Sequence, residues 1–311
     1  KDRAMKQVEI GCYPAPVTPF SEKGDLMLDA FAEILRWHIA CGAKGFLIAG
    51  DNGENWALSN DELRQVTEVA MREAKGRPVY VGAWAITERE AIERGRAAAE
   101  GGAYGLCIKP QHYVHAFAKA ADADVVGRFE AMAKAVPLPV MVYNSPNRNN
   151  VSITHEQLSA ILDVCPAEAL KDNNYDLQHQ TENCLLFHDK INILISYSFF
   201  SLTGLLLGAR GVVGSPFEYF GNPDRIFEFQ NMEEQERRDL MQMAIDIKQV
   251  NSYLGTVPAP YKAGLNMIGL PAGYTRDPVR PLTDEESAKL RAVLVKWGAP
   301  VVDAASVRAA E

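Results

Sequence analysis

No apolar run in the 311-residue sequence approaches the roughly 20 residues that cross a bilayer. The opening residues Lys1-Asp2-Arg3-Ala4-Met5 lack the apolar core of a secretion signal, so the expectation is a soluble, cytoplasmic protein with no membrane partner. Basic charge is also short. With 32 Lys+Arg against 40 Asp+Glu the net charge is −8, which gives no broad phosphate-binding surface and argues against nucleic acid as a partner. Cysteine is sparse and odd in number. Cys12, Cys41, Cys107, Cys165 and Cys184 are scattered and mostly sit within apolar runs, which fits neither a disulfide framework nor a zinc cluster and suits core thiols in a reducing compartment. What is present is ordinary for a globular chain. Hydrophobic residues are 47% and charged residues 23%, enough apolar material for a substantial core and too much for a disordered chain.

The most informative pattern is an internal echo. Gly42-Ala43-Lys44-Gly45, Gly102-Ala103-Tyr104-Gly105 and Gly208-Ala209-Arg210-Gly211 each follow a helix-like stretch and precede a short apolar run. A glycine there can end a helix in the left-handed conformation, and the apolar run reads as a buried strand. The separations of 60 and 106 residues are two and four times the length of one βα unit, so the echoes open units two, four and eight. Strands are then expected over residues 10–17, 78–82, 138–143, 168–170 and 191–195 in the remaining units. Helix starts stand between them, as at Ser59-Asn60-Asp61-Glu62 and Thr154-His155-Glu156.

Eight alternating units predict a (β/α)₈ TIM barrel. A doubly wound open sheet is the fallback, but no G-x-G-x-x-G follows a strand. The eighth strand is expected to end near Ser215. The barrel core is therefore assigned to residues 1–221, and residues 222–311 to the last barrel helix with a C-terminal all-helical extension. Within that extension a long helix is expected over 222–253, and a last one from Thr283 to about Trp297.

Active sites of such barrels lie at the C-terminal ends of the strands. Reading those positions gives Thr18-Pro19-Phe20, Gly50-Asp51-Asn52-Gly53-Glu54, Trp84, Lys109 to Tyr113, Tyr143 to Pro146 with Arg148, Lys171-Asp172, Tyr197 with its neighbours, and Gly214-Ser215. From this set Lys171 is singled out, as an amine at a strand end after the apolar Ala169 and Leu170. Desolvation lowers a lysine pKa and frees the amine to attack a carbonyl. Tyr143, on the adjacent strand of the same mouth, supplies a phenol that can move a proton. No two-histidine-plus-carboxylate set is present at the mouth, so no metal is expected.

Six segments together resemble the dihydrodipicolinate synthase / N-acetylneuraminate lyase family. They are Ala15-Pro16-Val17-Thr18-Pro19-Phe20, Gly50-x-x-Gly53-Glu54, Tyr143-Asn144-x-Pro146, Leu170-Lys171-Asp172, Gly211-Val212-Val213-Gly214-Ser215 and Tyr261-Lys262-Ala263-Gly264-Leu265-Asn266, in that order from about residue 10 to 296. The resemblance implies a barrel with a helical extension, class I aldolase chemistry on pyruvate or another 2-oxo acid with an aldehyde partner, and a homotetramer or homodimer. It also implies that Lys171 forms the imine with no other cofactor, that Tyr143 relays protons, and that the loop with Asp51, Asn52 and Gly53 receives the 2-oxo acid carboxylate.

Val213 joins the substrate pocket on the same ground. Arg148 falls where the synthases hold an aldehyde carboxylate, and can equally be an interface residue. After strand four, either His112 or Tyr113 takes the place of a relay tyrosine. The family's loop usually carries two hydroxyl residues where Asp51 and Asn52 stand here, so altered relay geometry is expected. Trp84 and the aromatic stretch around Tyr197 suggest a partner that is aromatic or weakly hydroxylated. Two other readings remain open. One is a dehydratase or deaminase working through the same imine, and the other is a binding barrel without turnover.

Overall fold

A computed structural model describes residues 7–110, 121–196, 201–214 and 219–302. His112, Tyr113, Tyr197 and Ser215 lie outside the described residues. Eight parallel strands, β1 (Gly11–Tyr13), β2 (Phe46–Ile48), β3 (Val79–Gly82), β4 (Gly105–Ile108), β5 (Val140–Asn144), β6 (Ala167–Asp172), β7 (Asn192–Ser196) and β8 (Gly211–Val213), pair in the order β1-β8-β7-β6-β5-β4-β3-β2. The remaining seam is bridged where Lys44 N–H donates to Cys12 O and Leu47 N–H to Pro14 O, both at 2.9 Å. The result is the expected TIM barrel, with helices on its outside.

The echo motif has two jobs. Its first glycine takes φ of +99°, +84° and +96° at Gly42, Gly102 and Gly208, the left-handed turn that leads from helix to strand. Its last glycine has no room for a side chain, because tyrosines fill the barrel interior. A Cβ on Gly45 would lie 2.7 Å from both Pro78 O and the Tyr13 ring, and one on Gly105 would lie 2.6 Å from Pro139 O and 2.9 Å from the Tyr80 ring. Gly45→Ala is therefore expected to destabilise the fold by about 1–3 kcal/mol, read as a lower denaturant midpoint, because the clash is with backbone that cannot yield.

Two strands differ in length from the sequence reading. β1 stops at Tyr13 because Pro14 and Pro16 have no N–H for the ladder. β6 runs on through Lys171 and Asp172, past the apolar run that marked it, because both polar side chains are buried.

Barrel helices α1 (Leu28–Ala40), α2 (Asn60–Ala74), α3 (Glu88–Glu100), α4 (Asp122–Ala135), α5 (Pro146–Asn149), α6 (His155–Val164), α7 (Leu177–Phe187) and α8 (Ser201–Leu206) follow their strands. α2 and α6 start in capping boxes at Ser59 and Thr154, as their sequences suggest. The expected helix over 222–253 is divided into a 3₁₀ segment, Pro223–Asn231, and α9 (Glu234–Tyr253), because Met232 is extended and Glu233 opens a new capping box. α10 (Ala259–Met267) and α11 (Asp284–Lys296) complete the extension.

Ile226, Leu240, Ile247, Leu265 and Leu290 of this C-terminal part share one core with Cys12, Ile34 and Val212 of the barrel. The extension is thus packed against the β1–β8 side, which brings α9 and α10 to the mouth. All five cysteines are free thiols, and Cys12, Cys107, Cys165 and Cys184 are buried. Among the described residues no helix is long and apolar enough to cross a membrane.

Candidate active site

Lys171 and Tyr143 are direct partners in the β5–β6 register, which places both side chains at the same height in the barrel mouth. The Lys171 Nζ lies 4.2 Å from the centroid of the Tyr143 ring. Lys171 is only 7% exposed. Burial pushes its amine down to about 8, and Arg148 and Lys109 act in the same direction against Cys107 and Asp51. The next residue, Asp172, is buried on the other face of the strand. Its carboxylate accepts from Asn144 (3.2 Å), Asn183 (2.8 Å) and the Asn174 N–H (3.1 Å), which pins the end of β6 to β5 and α7.

The loop after β2 is sharply folded. Ala49 and Glu54 take φ of +47° and +52°, and a side chain on Gly53 would strike the Ala49 backbone at 2.9 Å. Asn55 N–H donates to Gly50 O (3.1 Å), and the Thr18 hydroxyl donates to Gly53 O (2.8 Å). Gly53 therefore shapes the loop from below and lines neither of the two clefts described below.

This fold aims Asp51 into the mouth, where its carboxylate meets three partners. Oδ2 accepts from the Tyr143 hydroxyl at 3.2 Å and lies 3.5 Å from Arg148 Nη1, and Oδ1 accepts from Lys109 Nζ at 3.1 Å. Burial alone would raise the Asp51 pKa, but Lys109, Arg148 and Lys171 together hold it at about 2. Burial, and then Asp51, push the Tyr143 phenol well above its ordinary range, so it stays protonated with its O–H directed at the carboxylate.

Lys109 is the residue that the sequence criterion passed over. It too is an amine after an apolar strand, Leu106-Cys107-Ile108, and it is buried, with Nζ 4.5 Å from the Trp84 ring centroid.

Segments far apart in the sequence meet behind the loop. Glu54, with no exposed surface, pairs with Lys262 of α10 at 2.5 Å and accepts the Arg276 N–H at 2.9 Å. Lys262 also donates to Tyr274 O, and its ammonium lies 4.5 Å from the Phe20 ring centroid. Three of the quoted segments, around Phe20, Glu54 and Lys262, are thus one structural lock under the site.

Two clefts share Asp51 and Arg148. The inner one contains Lys171, Tyr143, Asn52 and Val213, and is closed by Lys248, Asn251 and Tyr261 from the extension. Asn251 and Lys248 had no sequence signal, because their approach depends on how α9 folds back. The outer cleft holds Lys109 and the apolar Trp56, Trp84 and Ile86. Trp84 stands beside Tyr143, ring centroids 5.8 Å apart, and lines the outer cleft. Among the described residues no group of three or more His, Cys, Asp or Glu is placed to hold a metal ion.

This arrangement offers a desolvated amine, a phenol and a carboxylate in contact, flanked by two further cations: equipment for carbonyl addition and proton transfer on an anion. Comparison with known proteins gives the family. The sequence matches the Dihydrodipicolinate synthetase family over residues 9–296. It is 26% identical to the 4-hydroxy-tetrahydrodipicolinate synthase of Oceanobacillus iheyensis, over 90% of this chain and 94% of that one. It is 29% identical to an uncharacterized DapA-like lyase of Rhizobium meliloti, again over 90% and 94%. The crystal structure of a dihydrodipicolinate synthase from Bacillus anthracis superposes with a TM-score of 0.86 at 25% identity, covering 93% of this chain and 99% of that one. The Proteus mirabilis N-acetylneuraminate lyase does so with 0.84 at 25%, covering 94% and 99%. With its barrel, its extension and nearly its whole length matched, the chain belongs to the dihydrodipicolinate synthetase family.

Proposed function

We propose that this protein is a class I lyase that forms a Schiff base between Lys171 and pyruvate or another 2-oxo acid, and makes or breaks the adjacent carbon–carbon bond with an aldehyde partner. The observation that carries this reading is the buried Lys171 amine, lowered to about 8, in contact with the Tyr143 ring. The neutral amine adds to the C2 carbonyl, the carbonyl oxygen leaves as water, and the iminium then accepts the electron pair of the bond that breaks. Tyr143 moves the protons. The substrate carboxylate is received by the amides of the Asn52 loop and by Arg148, with the Asp51 charge offset by Lys109. No cofactor beyond the imine is needed.

A substrate bound to Lys171 occupies the inner cleft, whose described far wall includes Asn173, Ser196, Lys248 and Asn251. That wall favours a hydroxyl- or carboxylate-bearing end over the aromatic one suggested by Trp84, which belongs to the outer cleft. A dehydratase acting through the same imine uses the same groups, and product analysis distinguishes it by an intact carbon skeleton. A binding barrel has no use for a desolvated amine. The setting proposed is cytoplasmic, and the assembly a homodimer or homotetramer, in keeping with exposed Leu177, Leu185 and Leu186 on α7.

The test is borohydride trapping with pyruvate, read by intact mass and peptide mapping. A reduced adduct is expected on Lys171. Its rate of formation should rise as pH passes through about 8, since burial lowers the pKa and only the neutral amine attacks. The reading is sunk if several 2-oxo acids leave no adduct at Lys171.

A further inference from the structure

Lys109 belongs to neither the amine chemistry nor the inner cleft, yet it is built in as firmly as Lys171. Arg128, buried in α4, donates from Nε to Lys109 O (3.0 Å) and from Nη2 to Ala85 O (3.1 Å), fixing the backbone at the ends of β4 and β3. The Lys109 ammonium then rests between the Trp84 ring, 4.5 Å away, and the Asp51 carboxylate. Asp51 continues the chain to the Tyr143 hydroxyl. Lys109, Asp51 and Tyr143 thus form a hydrogen-bonded line from the outer cleft to the inner one. The two clefts touch at Asp51, which lines both.

We propose that Lys109 is a positioning residue acting through Asp51: it keeps that carboxylate ionised and aimed at the Tyr143 hydroxyl, so that Asp51 takes the phenol's proton when Tyr143 takes one from the substrate. The proposal rests on the imine reading above. In the step, the C3–H bond of the lysine-bound 2-oxo acid breaks, and its electron pair becomes the C2=C3 double bond of the enamine. The iminium π pair returns to nitrogen, the C3 proton joins the Tyr143 oxygen, and the Tyr143 O–H proton passes to Asp51 Oδ2. Reversal of the same transfers protonates the enamine. An ion pair here does work that a hydroxyl would do without charge, and Asp51 in a buried mouth needs a fixed cation to do it.

Among the described residues, the charged and titratable groups around Asp51 are Cys107 on β4, Lys109 after β4, Tyr143 on β5, Arg148 on α5 and Lys171 on β6. Arg148 is the more exposed of the two cations within 4 Å and contacts the oxygen that Tyr143 already uses. Lys109 is therefore the partner whose loss Asp51 should feel most.

Exchange of the pyruvate methyl protons with D₂O, followed by proton NMR at saturating pyruvate, reads the step without the natural partner substrate. With saturating pyruvate holding Lys171 as the imine, so that its amine no longer titrates, the wild-type exchange rate is expected to stay flat until Asp51 protonates at the strongly acid end of the range. Lys109→Met should bring in an acid limb displaced upward by about one to two pH units, because burial then raises the Asp51 pKa with less opposition. Lys109→Arg should restore the flat profile. Asp51→Asn should slow exchange by about 10²-fold or more, and adding Lys109→Met to it should change nothing further. Lys109→Gln serves as a second neutral variant if the methionine form does not fold, and the Asp51→Asn rate is read independently of both. Borohydride trapping is run in parallel. An untrapped wild-type protein defeats the imine reading itself. Trapping at Lys171 together with an unmoved acid limb, a wild-type rate for Asp51→Asn, or additive effects in the double variant overturns the role given to Lys109.

Discussion

Lys171→Met is expected to abolish pyruvate trapping, lower turnover by on the order of 10⁴-fold or more, and at the same time make the protein more stable at neutral pH. The opposite signs come from one cause. Lowering a lysine from 10.5 to about 8 by burial corresponds to an upper limit on the order of 3 kcal/mol against the charged form in the folded state. Between those two pH values the unfolded chain binds more protons than the folded one, so stability rises with pH across that window, and below about 8 the full penalty applies. Methionine has similar length and no charge to desolvate, so it removes the penalty. Thermal unfolding at neutral pH and again near pH 10 checks this: the variant should melt above the wild type at the lower pH, and the gap should narrow at the higher. A variant that loses activity and also loses stability would point to a structural lysine, and would count against the imine role.

The second large effect is expected far from the reacting atoms. Among the described residues, Lys262→Met leaves the Glu54 carboxylate, without exposed surface, with only the Arg276 N–H as a close polar partner. Breaking a buried pair in this one-sided way costs about 3–5 kcal/mol, where replacing both members by neutral groups costs far less. Lys262→Met should therefore lower the denaturant midpoint strongly, and Glu54→Gln combined with Lys262→Met should recover much of the loss. Because Glu54 ends the loop that aims Asp51, the single variant should also trap pyruvate more slowly. Equal midpoints for Lys262→Met and wild type would show that the pair is not holding the loop.

How far the sequence could be read follows from the range of each interaction. The strands were legible because glycines mark their beginnings and apolar runs fill them, and Lys171 and Tyr143 were legible because neighbouring strands in a barrel carry their ends to one rim. β6 was read short because burial of Lys171 and Asp172 is a tertiary fact, invisible to a pattern of apolar letters. Trp84 was legible as a rim residue packed beside Tyr143, but rim position does not fix which of two adjoining clefts a ring lines, and Trp84 lines the outer one. Asp51 was noticed as a departure, yet its partner was not found. Fifty-eight residues separate it from Lys109, and the pairing depends on how the loop after β2 folds over at Ala49 and Glu54. Lys248 and Asn251 stand on a helix whose sequence says only that one face is apolar; which polar residues then meet the cleft is decided by docking.

The lock between Glu54 and the segment from Lys262 to Arg276 also sets an order of events during synthesis. Its members are 222 residues apart at the Arg276 N–H. Every strand of the barrel has left the ribosome well before Lys262 and Arg276 appear, so a nascent chain can pair its sheet while the loop that carries Asp51 still lacks its anchor. The mouth is thus completed last, and a growing chain arrested after β8 should already hold Lys171 and Tyr143 side by side yet remain unable to bind a 2-oxo acid tightly.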